Sequence, residues 1–366
     1  MAWIQEVSRA WTKTRSTAAR RLFLDRQAEF WLAEVDPVRS LTETRARVVR
    51  VIEETADTKT FVVRPSANWP GHRPGQFTTV EVEIDGVRVR RCYSISSAPG
   101  DSLVAFTVKR LPTGRVSAWL HDHLSPGDVL RLSEPAGDFV LPEPTPEKLL
   151  FVSGGSGITP VMSMLRGLHH RGAVRDLVFV HYARSRSDVI FAEELRRLAD
   201  RHPGLRLVLR LDDDPSPRRG FDEADFAELV PDFRDRSTFL CGPAPLMDRA
   251  EKMWRAADAS GRLSRERFSA EPKLRALSGP TSEVHVRFGR TGRDLVAAGA
   301  GSLLEQLERA GARLPSGCRM GICHTCTCHK KSGTVENLVT GEVSSEPDQK
   351  IRLCISAPRS DLELDL

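Results

Sequence analysis

At 366 residues the chain is longer than one ordinary domain, so two or three domains are expected. Its composition, 40% hydrophobic and 28% charged, is that of a water-soluble protein, and a net charge of +5 gives no indication of nucleic-acid binding. No segment has transmembrane length, and the first residues lack the apolar core of a secretory signal. The seven cysteines are clustered, which favours metal or redox chemistry in a reducing cytoplasm over a disulfide framework.

Residues 1–42 are predicted to form an N-terminal helical segment. Its aromatic and basic side chains are interleaved: Trp3, Arg9, Trp11, Lys13, Arg15, Arg20, Arg21, Phe23, Arg26, Phe30 and Trp31. A basic segment with aromatic residues can lie on a membrane surface or dock a partner. The alternative is an extension that packs on the next domain. The protein is therefore expected in the cytoplasm, either free or peripherally bound at the inner face of the membrane.

Residues 43–143 show a hydrophobic period of two, as in "TKTFVVRPS", "GQFTTVEVEI" and "GVRVRRCYSIS". This period predicts β-strands. Asp85-Gly86 suits a two-residue hairpin turn, because both central residues of such a turn need positive φ. The region is predicted to be an antiparallel barrel or sandwich.

Residues 144–272 alternate short apolar strands with helical patterns, which predicts an α/β domain with a parallel sheet and right-handed crossovers. A polar linker is predicted at 273–282. Residues 283–366 return to strands with one helix, "SLLEQLERAG", and are predicted to form a small α+β domain that contains a cysteine cluster.

The cysteine cluster has the spacing C-x4-C-x2-C at Cys318, Cys323 and Cys326, and Cys354 follows after 27 further residues. This is the plant-type ferredoxin spacing for a [2Fe-2S] cluster. Gly321 permits the tight loop that turns backbone N–H groups toward cluster sulfurs. Cys354, in "IRLCIS", is predicted to lie in a strand that fixes the fourth thiolate.

Zinc is the competing interpretation of this cluster. It would use Cys328, or His324 and His329, and would leave Cys354 without a role. Cys328 is therefore expected not to be a ligand. The stretch "SGCRMGICHTCTC", with "KSGTVENL" and "IRLC", resembles plant-type ferredoxin domains, and the resemblance implies a β-grasp fold for residues 283–366.

In the first β-domain, "RRCYSISSAP" contains Arg91, Tyr93 and Ser94. These residues resemble the R-x-Y-S motif of the ferredoxin–NADP reductase superfamily. The resemblance implies that Tyr93 flanks a flavin ring, Ser94 approaches flavin N5, and Arg91 binds the flavin phosphate. The chemistry is reasonable, since a planar ring packs on an aromatic side chain and a guanidinium pairs with phosphate. Taken alone, the same residues could be a strand that ends in a charge.

A second stretch, "GRVSAWLHDHL", places Gly114, Val116 and Ser117 at an expected helix start, where exposed N–H groups bind phosphate. It resembles the FAD-binding members of the superfamily, notably the reductase part of flavohaemoglobins. The resemblance implies FAD rather than FMN as the flavin.

The α/β domain opens with "LLFVSGGSGITPVMSML", in which Gly154, Gly155 and Gly157 separate a strand from a helix. Thr159 is predicted as the N-cap and Pro160 in the first helical turn. Such a turn cradles a pyrophosphate at the helix N-terminus. The stretch resembles the G-G-x-G-I-T-P motif of the same superfamily.

Near the end of this domain, "FLCGPAPLM" resembles the superfamily's C-G-P motif, with Cys241, Gly242 and Pro243. The resemblance implies that Cys241 lies near the nicotinamide, and that an aromatic residue, here Phe268, covers the flavin. The alternatives are a small buried residue for Cys241 and core packing for Phe268. Ser94, Thr159 and Cys241 are the residues expected at the reacting groups.

The loop after the second strand of this domain reads "HYARSRSD". Arg184 and Arg186 favour NADPH, whose 2′-phosphate pairs with arginines, whereas Asp188 is compatible with NADH.

The domain order predicts an oxidoreductase that passes electrons from NADPH to FAD, then to [2Fe-2S] and to an outside acceptor. The whole chain resembles reductases that are electron-transfer partners of membrane stearoyl-CoA Δ9 desaturases, in "RCYSISS", "GRVS", "SEPAGDF", "SGGSGITPVMSMLR" and "HYAR". The resemblance implies a membrane desaturase as the acceptor. The alternatives are an alkane or aromatic hydroxylase or another oxygenase, or a redox sensor without turnover.

Overall fold

The computed structural model describes residues 24–84, 86–112, 114–214, 220–268, 283–317, 319, 321 and 325–366. Of the predicted N-terminal segment, helix α1 (Leu24–Val35) lies within these residues. The predicted linker at 273–282 lies outside them. In the part of the chain that is described, no helix is both long enough and apolar enough to cross a bilayer.

The first domain is a six-stranded antiparallel barrel. Its strands are β1 (Thr44–Thr55), β2 (Thr58–Pro65), β3 (Phe77–Ile84), β4 (Val87–Ser94), β5 (Val104–Lys109) and β6 (Val129–Leu132). They hydrogen-bond in the order β4-β3-β6-β1-β2-β5, and a bridge between Ile95 and Phe106 joins the two edge strands. The barrel interpretation is therefore confirmed over the sandwich. Helix α2 (Arg115–His123) covers one end and buries Val116 and Leu120 in the barrel core.

Strands β3 and β4, which the two-residue hydrophobic period predicted, pair as a hairpin. Their register runs from Phe77 opposite Ser94 to Ile84 opposite Val87, which leaves a two-residue turn. Gly86 has a φ of 72°, as the turn requires; Asp85 lies outside the described residues. The register carries the end of β4, where Tyr93 and Ser94 lie, to the base of β3.

The second domain contains a five-stranded parallel sheet. Its strands are β7 (Lys148–Gly154), β8 (Asp176–Ala183), β9 (Leu205–Leu211), β10 (Ser237–Cys241) and β11 (Leu263–Glu266), and its helices are α3 (Ile158–His170), α4 (Ala192–Arg201), α5 (Glu223–Leu229) and α6 (Ala244–Ala256). The strand order is β11-β10-β7-β8-β9. The chain thus builds outward from β7 to one side and then to the other. Ligands of such sheets bind at the carboxyl ends of the strands beside this reversal.

The C-terminal domain combines a five-stranded sheet, a three-stranded sheet and helix α7 (Leu303–Arg309). Its strands are β12 (Val284–Phe288), β13 (Asp294–Ala297), β14 (Thr327–Ser332), β15 (Val335–Asn337), β16 (Val343–Ser344), β17 (Gln349–Arg352), β18 (Ser356–Pro358) and β19 (Leu362–Leu364). Helix α7 starts with a capping box between Ser302 and Glu305. The helix buries its leucines against the sheet, as expected for a β-grasp domain.

The prediction that Cys354 lies in a strand is wrong. Strand β17 ends at Arg352, and Cys354 is the middle residue of a 3-10 turn, Leu353–Ile355. A strand continuing through Cys354 would alternate its side chains across the sheet. The tight turn instead buries Leu353, Cys354 and Ile355 together.

Candidate redox site

A cleft of about 760 Å³ opens at the carboxyl ends of the parallel strands. The glycine turn at 154–157 and the turn at 242–246 form its floor. A Cβ on Gly157 would lie 2.2 Å from the carbonyl oxygen of Cys241, and one on Gly154 would lie 2.9 Å from Pro243 Cδ. Gly155 has a φ of 51° and faces open space. The glycines therefore allow the two turns to approach closely and expose backbone to a ligand, which fits a dinucleotide pyrophosphate.

The prediction that Thr159 caps helix α3 is wrong. The helix begins at Ile158 with Gly157 as its N-cap, because residues 155–157 already form a 3-10 turn that leads into it. Thr159 is buried and donates a hydrogen bond from Oγ1 to the carbonyl oxygen of Ser156, at 3.0 Å. Pro160 lies in the first turn, as predicted.

The side chains at the start of helix α2 are used in local hydrogen bonds and in the barrel core. Gly114 is the N-cap, and a Cβ there would lie 2.3 Å from Ser117 Oγ. The Ser117 hydroxyl accepts from the Leu111 N–H at 3.2 Å and donates to the Gly114 carbonyl at 3.1 Å. Val116 is buried in the barrel core. Contacts between this stretch and a cofactor therefore remain a prediction, and its backbone N–H groups are the donors expected to make them.

Two polar groups meet where the barrel and the parallel sheet adjoin. Cys241 ends β10, and its register partner on β11 is Glu266. Ser94, at the end of β4, has its Oγ 3.5 Å from Glu266 Oε2. Three strands from two domains thus bring the predicted Ser94 and Cys241 to one place, together with Glu266.

Burial at this site favours the neutral, protonated forms of Cys241 and Glu266. Glu266 keeps some accessible surface, but its carboxyl is desolvated, which raises its pKa to about 8. Cys241 is fully buried, and burial, with a smaller contribution from Glu266, raises the pKa of its thiol. At neutral pH both groups therefore carry their protons. Ser94 and Glu266 can then hold or donate a proton beside a bound ring.

Glu266 was missed by the sequence reasoning. It lies two residues before Phe268 in "RERF", inside the segment from which a flavin cover was expected. The only signal in the sequence was its position near the domain's end, where it is the last residue of the short strand β11. Phe268 itself is 38% exposed and lines the cleft.

The flavin motif also reaches the C-terminal domain. Tyr93 is half-buried, and its ring stacks on Phe106 with centroids 6.0 Å apart. Burial raises the pKa of its phenol. Arg91 donates from Nη1 to the carbonyl oxygen of Gly317, at 3.3 Å. Gly317 immediately precedes Cys318 in the sequence, so the described residue next to the first predicted cluster ligand contacts the motif that is predicted to hold the flavin.

Only one of the two predicted arginines lines the cleft among the described residues. Arg184 lies at its edge, with 65% of its side chain exposed, and pairs with Asp188 at 2.5 Å and with Asp57 of the barrel at 3.3 Å. Lys109 and Arg249 also line the cleft. Arg186 starts a short 3-10 turn whose last residue, Asp188, lines the cleft, but Arg186 itself does not.

The described part of the cysteine site fits an iron–sulfur cluster. Cys326 and Cys354 are both buried, and the Leu353 N–H donates to the Cys326 carbonyl at 3.2 Å. The Gly321 N–H donates to Cys354 Sγ at 3.1 Å, and Gly321 has a φ of 76°. Backbone N–H groups aimed at sulfur stabilise thiolate ligands. Cys318 and Cys323 lie outside the described residues.

Cys328 packs in the core of the C-terminal domain. It is buried in β14, opposite Ile351 of β17. This place in the sheet is compatible with the expectation that it is not a ligand.

Fold and site together define an oxidoreductase that takes electrons from NAD(P)H through FAD to a [2Fe-2S] cluster. Three family models match in this order: the oxidoreductase FAD-binding domain over residues 45–141, the oxidoreductase NAD-binding domain over 151–252, and the 2Fe-2S iron-sulfur cluster binding domain over 288–359.

The chain belongs to the family of ferredoxin-reductase-type enzymes with a C-terminal 2Fe-2S domain. It is 38% identical to an "NADPH oxidoreductase" of Mycobacterium tuberculosis over 361 residues, which cover 97% of this chain and 93% of that protein. It is 36% identical to a glycine betaine monooxygenase reductase subunit of Pseudomonas aeruginosa, covering 87% and 94%. The solved structure of phthalate dioxygenase reductase aligns with a TM-score of 0.63 at 27% identity, covering 88% of this chain and 97% of that one. The predictions of an enzyme, of its fold class and of its cofactors are confirmed.

Proposed function

We propose that the protein is an NADPH-dependent reductase that supplies single electrons to an oxygen-activating enzyme. The observation that carries the proposal is the meeting of three domains: Ser94 of the barrel reaches Glu266 beside Cys241, and Arg91 reaches Gly317, which precedes Cys318 in the sequence. A hydride would bring two electrons to the first place, and a cluster held by the cysteines that follow Gly317 in the sequence would take them one at a time.

Within this proposal each group has a role. Tyr93 flanks the flavin ring, Arg91 and the start of helix α2 bind its phosphates, and Phe268 covers its other face. Residues 154–160 and 242–243 hold the pyrophosphate and nicotinamide. Ser94 and Glu266 hold a proton near flavin N5, and Cys241 packs at the nicotinamide. Cys318, Cys323, Cys326 and Cys354 bind the cluster.

NADPH is favoured over NADH by the charge at the cleft edge. Arg184, Lys109 and Arg249 supply three cations where the adenosine end of a dinucleotide is expected. Asp188 and Asp57 now pair with Arg184, and a 2′-phosphate would compete with them for the guanidinium. The M. tuberculosis relative is described as using NADPH, which agrees with this assignment.

The acceptor is proposed in two forms. The resemblance of the whole chain to desaturase reductases favours a membrane stearoyl-CoA Δ9 desaturase. The glycine betaine monooxygenase reductase subunits and a 3-ketosteroid-9-alpha-monooxygenase reductase component, 32% identical, favour an oxygenase component. Both kinds of acceptor take electrons one at a time, so the same reductase chemistry serves either.

The N-terminal segment is proposed to contact the membrane beside the acceptor. Helix α1 is fixed to the barrel on one side, where Glu29 accepts from Arg45 at 3.2 Å and from the Leu41 N–H at 2.8 Å. On its other side Phe30 and Trp31 form an exposed edge-to-face pair, and Val35 is exposed too. Interfacial helices use such aromatic side chains, and the bases before residue 27 would attract anionic lipid.

Reconstitution tests the function and separates the two acceptors. Purified protein loaded with FAD and cluster is combined with NADPH and either the membrane or the soluble fraction of its source organism. Desaturated acyl-CoA from the membrane fraction alone supports the desaturase; hydroxylated or demethylated product from the soluble fraction supports an oxygenase. Absence of NADPH-dependent cytochrome c reduction by the loaded protein would refute the reductase proposal itself.

Vesicle sedimentation tests the membrane contact. The full chain is expected to sediment with anionic vesicles and not with neutral ones, and Trp31→Ser is expected to weaken that binding. Equal recovery of the wild type and Trp31→Ser in the supernatant would remove this part of the proposal.

A further inference from the structure

Helix α3 connects the nucleotide turn to the flavin motif. Its N-terminus follows the glycine turn, and its later residues pack on the barrel domain. Gly167 marks the close approach: a Cβ there would lie 3.4 Å from Pro99 and 3.5 Å from Pro74. The helix therefore connects the turn that is proposed to hold the nucleotide with the domain that is proposed to hold the flavin.

Two side chains on one face of this helix bind the carbonyl oxygens of two consecutive residues, Ser96 and Ser97, which are called the flavin segment below. Ser163 Oγ donates to the Ser97 carbonyl at 2.8 Å. Arg166, one turn later, donates from Nη1 to the Ser96 carbonyl at 2.5 Å. Only Ile95 separates Ser96 and Ser97 from Ser94, the last residue of the flavin motif, so these bonds hold the backbone next to the motif.

Arg166 is itself held on three sides. Its Nε and Nη2 atoms form a fork with both carboxylate oxygens of Glu194, at 2.9 and 2.6 Å. Its guanidinium lies 4.8 Å from the ring centroid of Phe191, and its side chain is only 17% exposed. Phe191 has a φ of 60°, a conformation that a bulky residue keeps only where its surroundings impose it. A planar guanidinium is needed to satisfy all these directions at once.

The flavin segment is also braced from inside the barrel. Ser96 Oγ lies 3.1 Å from Thr107 Oγ1, which lies 2.8 Å from Thr60 Oγ1. The Thr60 hydroxyl donates to Glu54 at 2.7 Å. Ser96 is thus fixed through its hydroxyl by the barrel and through its carbonyl by Arg166. Movement of helix α3 would be transmitted to the flavin motif rather than absorbed by a loose loop.

We propose that Arg166 and Ser163 are positioning residues for hydride transfer, which set the distance and angle between the nicotinamide and the flavin through helix α3. The inference concerns the step from NAD(P)H to FAD and does not depend on which acceptor follows.

The test is anaerobic stopped-flow reduction of FAD in the holoenzyme by NADPH, with Ser163→Ala and Arg166→Lys. Ser163→Ala removes one hydroxyl, and the Ser97 carbonyl keeps His72 Nε2 at 3.2 Å. Arg166→Lys keeps a charge for Glu194 but loses the fork. Flavin reduction is expected to slow by about 10-fold or more, since small misplacement of reacting groups costs about that much or more. The long-wavelength charge-transfer absorbance of stacked nicotinamide and flavin is expected to fall as well.

Three quantities separate positioning from simple destabilisation. FAD content, the Kd for NADPH and the rate of cluster reduction by reduced flavin are expected to stay within about twofold of wild type, whereas the two hydride-transfer readouts change. Arg171→Ala is the matched control, because Arg171 directly follows the same helix and pairs only weakly with Glu143, at 3.7 Å. Wild-type flavin reduction and charge-transfer absorbance in both variants would overturn the proposal. So would a slowing that is fully explained by lost FAD or weaker NADPH binding.

Discussion

The predicted iron–sulfur site takes three of its four ligands from residues 318–326, whereas the proposed hydride-transfer site gathers Ser94, Cys241 and Glu266 from three separate strands of two domains. The first needs four thiolates at fixed distances, and a short glycine-containing loop can supply most of them. The second needs two flat rings face to face between domains, so its groups must come from both. A local loop can be recognised in a sequence by spacing alone, while an interdomain site depends on how sheets pack.

The largest effect is expected from breaking the local site alone. Cys354→Ser should abolish cytochrome c reduction, because the cluster loses the ligand to which the Gly321 N–H donates. Ferricyanide reduction should persist, since the flavin can supply it. Cys328→Ser is the matched control and should keep both activities and the cluster's visible absorbance. Equal loss of ferricyanide and cytochrome c activity in Cys354→Ser would contradict the electron order.

Disrupting the interdomain site should lower the reduction of ferricyanide and of cytochrome c together. Ser94→Ala removes the hydroxyl that faces Glu266, and flavin reduction by NADPH should slow by about 100-fold, a typical loss for one proton-holding group. Ferricyanide and cytochrome c rates should fall in parallel in steady-state assays. A loss confined to cytochrome c would place Ser94 on the path from flavin to cluster instead.

The preference for NADPH over NADH should depend on Arg184 and not on the neighbouring Arg186. Arg184→Ala should raise the KM for NADPH by about 10-fold and leave that for NADH nearly unchanged, because a charge-assisted pair with the 2′-phosphate is lost. Arg186→Ala, two residues on and outside the cleft lining, should change neither. The measurement is the ratio of kcat/KM values for the two nucleotides. An unchanged ratio in Arg184→Ala would remove the assignment.

The pH dependence of hydride transfer should report Glu266. Desolvation raises its folded-state pKa to about 8, so the group is neutral at pH 7 and becomes a carboxylate above pH 8. Negative charge there opposes the arrival of a hydride, so flavin reduction should slow several-fold as pH rises through about 8. Glu266→Gln should flatten this profile.

The raised pKa of Glu266 also determines whether the free energy of unfolding rises or falls with pH. In the unfolded chain Glu266 ionises near its ordinary value of 4.5, so between about pH 4.5 and 8 the folded protein binds the additional proton. Stability from this group should decrease as pH rises through that window, and Glu266→Gln should remove the decrease. A wild-type slope retained in the variant would mean that another group titrates.

The last expected effect concerns stability rather than activity and lies in the sheet beneath the cleft. His181 is fully buried, its Nδ1 lies 2.7 Å from Ser153 Oγ, and burial lowers its pKa from 6.5 to about 4. The unfolded state then binds the additional proton between about pH 6.5 and 4, so stability should fall with acidification by at most roughly 3 kcal/mol. Chemical denaturation of wild type and His181→Asn at pH 7 and 5 measures this. The variant should lose less stability between the two pH values than the wild type does.

The sequence by itself determined the three domains, the glycine turn at 154–157 and the cysteine spacing, because each depends on periodicity or on neighbouring residues. It misjudged details set by local packing: Thr159 is not the helix cap, since a 3-10 turn precedes the helix, and Cys354 lies in a turn rather than a strand. Only the tertiary structure placed Glu266 opposite Cys241, brought Arg184 but not Arg186 to the cleft, and joined helix α3 to the flavin segment through Arg166. These contacts are made between strands and domains, where strand order and domain packing, which no short motif encodes, decide which side chains meet.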